Sequence, residues 1–87
     1  MIRIWAKTMK GQKMTKNLIY ETIDNFNRET FYLHIQEICH KLDIATPVLL
    51  NYHINNYINF NNCTFTARDF VETINFDKLI IEEASIK

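Results

Sequence analysis

The chain has 87 residues, 47% of them hydrophobic and 23% charged, with ten bases balancing ten acids. That length holds one domain, residues 1–87, with a modest core, because a chain of this size buries roughly 60–65% of the surface its unfolded form exposes. The composition excludes a disordered chain, two cysteines (Cys39 and Cys63) are too few for a disulfide scaffold, and no apolar run approaches the ~20 residues that span a bilayer.

Residues 2–9 alternate, with Ile2, Ile4, Ala6 and Thr8 on one side and Arg3, Trp5 and Lys7 on the other. This is the period of a half-buried strand. A strand starting at Ile2 leaves no room for a signal peptide, so the expected setting is the reducing cytoplasm. Gly11, the only glycine, marks a hairpin turn that needs a positive φ. A second strand is expected from about Lys13 to Ile23. A three-residue loop would set Ile2 opposite Tyr20, Ile4 opposite Leu18 and Thr8 opposite Met14, matching apolar with apolar.

Asp24 to Asn27 form a crossover loop, with Asn27 as the expected N-cap of a first helix and Glu29 in its first turn. That helix carries Phe31, Ile35, Ile38 and Leu42 as one apolar stripe. Thr46-Pro47 then stops it and starts a second. Threonine caps, while proline at the first helical position loses no hydrogen bond and keeps its predecessor out of the α region. The second helix is expected to carry Val48 and Leu49 near its start, then Leu50, Ile54, Tyr57 and Ile58 on one side. Asn61-Asn62 follows, a place where asparagine does the left-handed work of glycine. Thr66 and Asp69 resemble a capping box, with Phe65 and Phe70 at the staple positions, which predicts a short third helix over 67–73. Residues 78–83 close the chain as a strand. The order β-β-α-α-α-β defines an α+β class, with a small antiparallel-type sheet made of the N-terminal hairpin plus the C-terminal strand. Two main helices and one short one cover one of its faces.

Three stretches together carry a resemblance: Trp5-Ala6-Lys7-Thr8, then Glu37-Ile38-Cys39-His40 running on to Ala45-Thr46-Pro47-Val48-Leu49-Leu50, then Phe76-Asp77-Lys78-Leu79. In them the chain resembles a family of short proteins of clostridial-type low-GC bacteria with no assigned activity. The ten asparagines and thirteen isoleucines suit a low-GC genome. The resemblance implies no site residues.

Chemistry finds little purchase in the sequence. Cys39 and His40 are adjacent and point about 100° apart on a helix. His34 sits six residues before His40, and His53 lies on the other helix. Structural zinc sites pair their ligands at two- to four-residue spacing, so no metal and no cofactor is expected. A Cys39–His53 nucleophile pair could meet only across two helices, and no glycine-rich turn exposes a nucleophile or cradles phosphate. A non-catalytic protein with surface histidines and a half-buried Cys39 is therefore expected.

Two binding surfaces remain. If Ile2, Ile4, Leu18 and Tyr20 face the helices, then Trp5, Ile19 and Ile80 share the uncovered sheet face, where three large apolar groups favour contact with a protein partner. A second copy in a two-fold homodimer is the partner expected. The tail, Ala84 to Lys87, or an inverted strand would instead cover Trp5. The alternative is nucleic-acid binding through Arg3, Trp5, Lys7, Lys10, Lys13 and Lys16, because the first 20 residues hold five bases and no acid. The neutral total argues against it, and lysines also guard exposed strand edges.

Overall fold

The computed structural model describes residues 1–84. Four strands, β1 (Ile2–Lys10), β2 (Lys13–Thr22), β3 (Asn62–Thr66) and β4 (Lys78–Glu83), form one antiparallel sheet in the order β2-β1-β4-β3. Two helices, α1 (Phe31–Leu42) and α2 (Asn51–Phe60), lie between β2 and β3 in the chain. The α+β class holds, and the element order is β-β-α-α-β-β.

Alternation sets the layers. Ile4 and Ala6 of β1, Tyr20 of β2, Cys63 and Phe65 of β3, and Leu79 and Ile81 of β4 are all buried against the helices. α1 packs over the β2 side, presenting Phe31, Ile35, Ile38, Cys39 and Leu42, while α2 packs over β3 and β4 with His53, Ile54 and Tyr57. Phe26, Phe31 and Tyr57 stack between them at centroid distances of 4.8–5.6 Å.

The hairpin differs from expectation in register but not in facing. Its loop is the two residues Gly11 and Gln12, with Gly11 at φ 61°. Glycine at the first central position with a positive φ suits a turn whose twist matches the strands. Thr8 pairs with Lys16 and Met9 with Met14, so Thr15 is an extra residue, a β-bulge. Ile4 therefore lies opposite Tyr20 and Ala6 opposite Leu18. Relative to the expected pairing the strand has slid by two residues. A slide of two preserves the side each residue faces, whereas a slide of one reverses it. Ile23 lies beyond the strand and is exposed.

Further corrections concern the helix boundaries. Asn27 caps a preliminary turn, its Oδ1 accepting from the Glu29 N–H at 2.8 Å, and α1 begins only at Phe31. α1 ends in a Schellman arrangement. Asp43 is left-handed at φ 57°, its N–H donates to His40 O, and the Ile44 N–H donates to Cys39 O. Thr46-Pro47 starts no helix. Residues 44–50 run as irregular chain across the end of the molecule, pinned where the Val48 N–H donates to Asp69 O at 2.8 Å. That tertiary bond outweighs the local signal. α2 starts at Asn51, so Val48, Leu50 and Ile58 remain exposed. Asn61, at φ 61°, ends it as expected.

The third helix shrinks to a single 3₁₀ turn, Ala67–Asp69, held by the foreseen Thr66–Asp69 box: the Thr66 N–H donates to Asp69 Oδ2 at 2.8 Å. The residues before it form β3, a fourth strand where three were expected. Their alternation buries Cys63 and Phe65, while Phe70 and Phe76 meet edge to face at 5.5 Å and anchor the chain on its way to β4.

Candidate interaction surface

The helices cover one face of the sheet and leave the other bare. Register places the bare face in rows. Arg3 lies opposite Glu21. Trp5 lies between Ile19 and Glu82. Lys7 lies between Asn17 and Ile80. Met9 lies beside Lys78. Trp5, Ile19 and Ile80 thus come together on this face. Ile19 is 45% exposed, and Trp5 and Ile80 are half-buried. None of the three belongs to the helix-side core.

Lys7 reaches over the indole. Its Nζ sits 3.8 Å from the Trp5 ring centroid and 3.6 Å from Glu82 Oε1. A lysine held over an aromatic face gains about 0.5–1 kcal/mol at an exposed site. Ile19 is the cross-strand neighbour of Trp5 on β2, and Glu82 its neighbour on β4. Of the tail, Ala84 extends the ladder by donating its N–H to Arg3 O at 2.8 Å. The expectation that the tail covers Trp5 falls otherwise on residues 85–87, outside the described residues.

The face also carries charge. Both signs are interspersed on it: Glu21 lies opposite Arg3, Glu82 is paired with Lys7 at 3.6 Å, and Lys78 lies beside Met9. The six residues considered for nucleic acid are not gathered. Arg3, Trp5 and Lys7 share the bare face, and Lys10 and Lys13 are paired beside the turn. Lys16 turns to the helix side, where its Nζ donates to Leu42 O at 2.9 Å, at the negative end of α1.

Two of the three histidines depart from the surface position expected of them, while His40 is exposed. His34 and His53 are buried, at 7% and 0% exposure. The Leu50 N–H donates to His53 Nδ1 at 3.0 Å, so the ring proton sits on Nε2, which faces Asp69 Oδ2 at 3.4 Å. Tyr52 donates to the other Asp69 oxygen at 3.2 Å. Burial holds His53 below its ordinary pKa, against the pull of Asp69. Burial pushes Asp69 up, but the Thr66 N–H, His53 and Tyr52 together hold it below the usual carboxylate range. His34 Nδ1 lies 2.9 Å from Tyr20 Oη, which donates to Glu37. Both cysteines are fully buried, and burial pushes each thiol up to about 12. For Cys39 burial outweighs the lowering pull of the Thr46 side chain. Among the described residues, no group of three or more His, Cys, Asp or Glu is placed to hold a metal ion. No helix of the described residues is long and apolar enough to cross a membrane.

The molecule is thus a small α+β protein with a one-sided helical cover and a partly apolar bare sheet. Comparison of the chain with protein-family models, with curated proteins and with solved structures gave no match.

Proposed function

We propose that the chain is a non-catalytic interaction module that pairs with a second copy of itself through the bare sheet face, in the cytoplasm. The observation that carries this is the grouping of Trp5, Ile19 and Ile80 on the face the helices leave open. A two-fold axis lying across the strands lays the Trp5, Ile19 and Ile80 grouping of one copy against the same grouping of the other. Two buried, unpaired cysteines suit a reducing compartment.

The face is small. Four strands about 4.8 Å apart, each presenting some six residues, offer roughly 400 Å² per copy. Standard interfaces bury about 800 Å² per partner, so a weak dimer is expected.

Trp5 is the only tryptophan, so its emission reports the contact directly. Sedimentation velocity from micromolar to millimolar protein should show a concentration-dependent dimer, with the emission shifting to the blue as it forms. Trp5→Ala should weaken association about tenfold or more, as aromatic anchors do at the centre of interfaces, and leave the melting temperature near that of the parent. A monomer throughout that range ends the proposal. Salt-sensitive retention on immobilised RNA or DNA, lost in Arg3→Gln with Lys7→Gln, would replace it with nucleic-acid binding.

A further inference from the structure

The helical layer stops short of the sheet's turn end. Beyond Leu42 the helix-facing positions of the hairpin change from apolar to polar: Thr8, Lys10 and Lys16 continue the line of Ile4, Ala6 and Leu18. The space over them is a cleft, not helix. One part, of about 400 Å³, lies between Lys16, the Asp43–Ala45 connector and residues 72–76. A second part, of about 270 Å³, adjoins it over Thr8, Thr15 and Lys10, and the two share Lys16, Ile44, Asn75 and Phe76. The larger part alone is within the size range of small-molecule sites.

Each wall is held in place. Thr8 and Thr15 hydroxyls bond to each other at 2.6 Å, which satisfies the buried Thr8. Lys16 Nζ fastens the hairpin to the end of α1 through Leu42 O at 2.9 Å and reaches Asp43 O at 3.5 Å. The outer wall, residues 71–75, is a strap fixed at one end by Phe70 against Phe76. At its other end the Asp77 N–H donates to Met9 O at 2.7 Å, and Asp77 Oδ2 accepts from the Gly11 N–H at 2.6 Å. A cleft whose walls are tied before a ligand arrives loses little entropy on binding.

The charged residues differ between the two parts. Asp43 and Glu72 line only the larger, Lys10 lines only the smaller, and Lys16 lies where the two meet. Ile44 and Phe76 form the apolar floor common to both. We propose that this cleft binds a small zwitterion of amino-acid or dipeptide size. Its ammonium faces Asp43 and Glu72, its carboxylate faces Lys10 and Lys16, and its apolar portion rests on Ile44 and Phe76. A simple anion meets the acidic half unfavourably, and a simple cation meets the basic half unfavourably. A molecule carrying both charges uses the whole cleft.

The test is amide-shift titration of the full chain with glycylglycine and with leucine, against acetate and methylammonium as single-charge controls. Saturable shifts centred on Lys16, Ile44, Asn75 and Phe76 are expected for the zwitterions, with clearly weaker responses to the controls. Lys10→Gln and Glu72→Gln, both at exposed positions, should each weaken binding about three- to fivefold, the size of a partly exposed charge contact, without moving the melting temperature. Absence of saturation by either zwitterion up to about 10 mM, the weak end of measurable affinity, overturns the proposal. So does an equal response to acetate, or binding indifferent to both substitutions. The cleft lies on the helix side of the sheet, so its failure leaves the bare-face dimer standing.

Discussion

His53 receives a hydrogen bond from the first turn of its own helix and directs its one ring proton at Asp69, with no surface exposed to water. It does the work of the reach-back residue in a capping box, satisfying the Leu50 N–H at the start of α2. Protonating Nδ1 would expel that N–H. The folded chain therefore resists charging His53, and burial sets its pKa below the ordinary 6.5. Between that ordinary value and the lower folded one, the unfolded chain binds the extra proton, so stability present above about pH 6.5 is lost as pH falls through this window. Asp69 acts lower down. Its contribution is present above the ordinary 3.8 and disappears as pH falls toward its still lower folded value. Melting temperature should thus fall in two acid steps. His53→Gln should remove the upper step and Asp69→Asn the lower. His53→Ala should cost about 2–4 kcal/mol, through the cavity and the orphaned Leu50 N–H, read from urea unfolding at pH 7.5. A melting curve flat from pH 7.5 to 5 would exclude the neutral assignment.

At the scale of elements, the hairpin shows how two local devices act together. The tight Gly11-Gln12 loop brings Lys10 beside Lys13, and the Thr15 bulge then delays β2 by one residue. Without the bulge, the turn would pair odd-numbered β2 residues with the core side and send Leu18 and Tyr20 into water. Gly11 holds φ 61° with open space where a Cβ would stand, so Gly11→Ala tests backbone strain alone. It should destabilise by about 1 kcal/mol, measured by chemical unfolding. An unchanged midpoint would mean that the turn relaxes into another type.

The same elements show what was legible in the chain. Ile2, Ile4, Ala6 and Thr8 announce β1 because period-2 alternation has no helical counterpart, and the facing of Trp5 follows from parity even though the register did not. Asn62 to Thr66 alternate too, with Cys63 and Phe65 as the apolar members, but five residues beside a capping box are easily absorbed into a helix approach. Thr46-Pro47 carries every local mark of a helix start, yet the Val48 N–H is claimed by Asp69 O, a bond between residues twenty-one apart that no window on the sequence contains. His53 stands four residues before Tyr57, on the same helical face. That spacing is the signal that would have placed it inside. The cleft left no such trace, because its residues come from β1, β2, the α1–α2 connector and the chain before β4, and only folding assembles them.

For the molecule as a whole, the order β2-β1-β4-β3 seats the first and last strands side by side at the centre of the sheet. The hairpin is made early during synthesis but can bond only along one side until residues 78–83 exist. The helices, too, lack most of the floor they lie on: Leu79 and Ile81 are fully buried beneath them. A chain ending at residue 77 should therefore show no cooperative melting and few dispersed amide signals, and adding a peptide of residues 78–84 in excess should restore both. Native-like dispersion in the shortened chain would show that the hairpin and helices suffice alone. On the ribosome, assembly must then wait for the strand that arrives last. Until it arrives, the open flank of the hairpin is a docking edge that a chaperone, or another nascent copy, meets first.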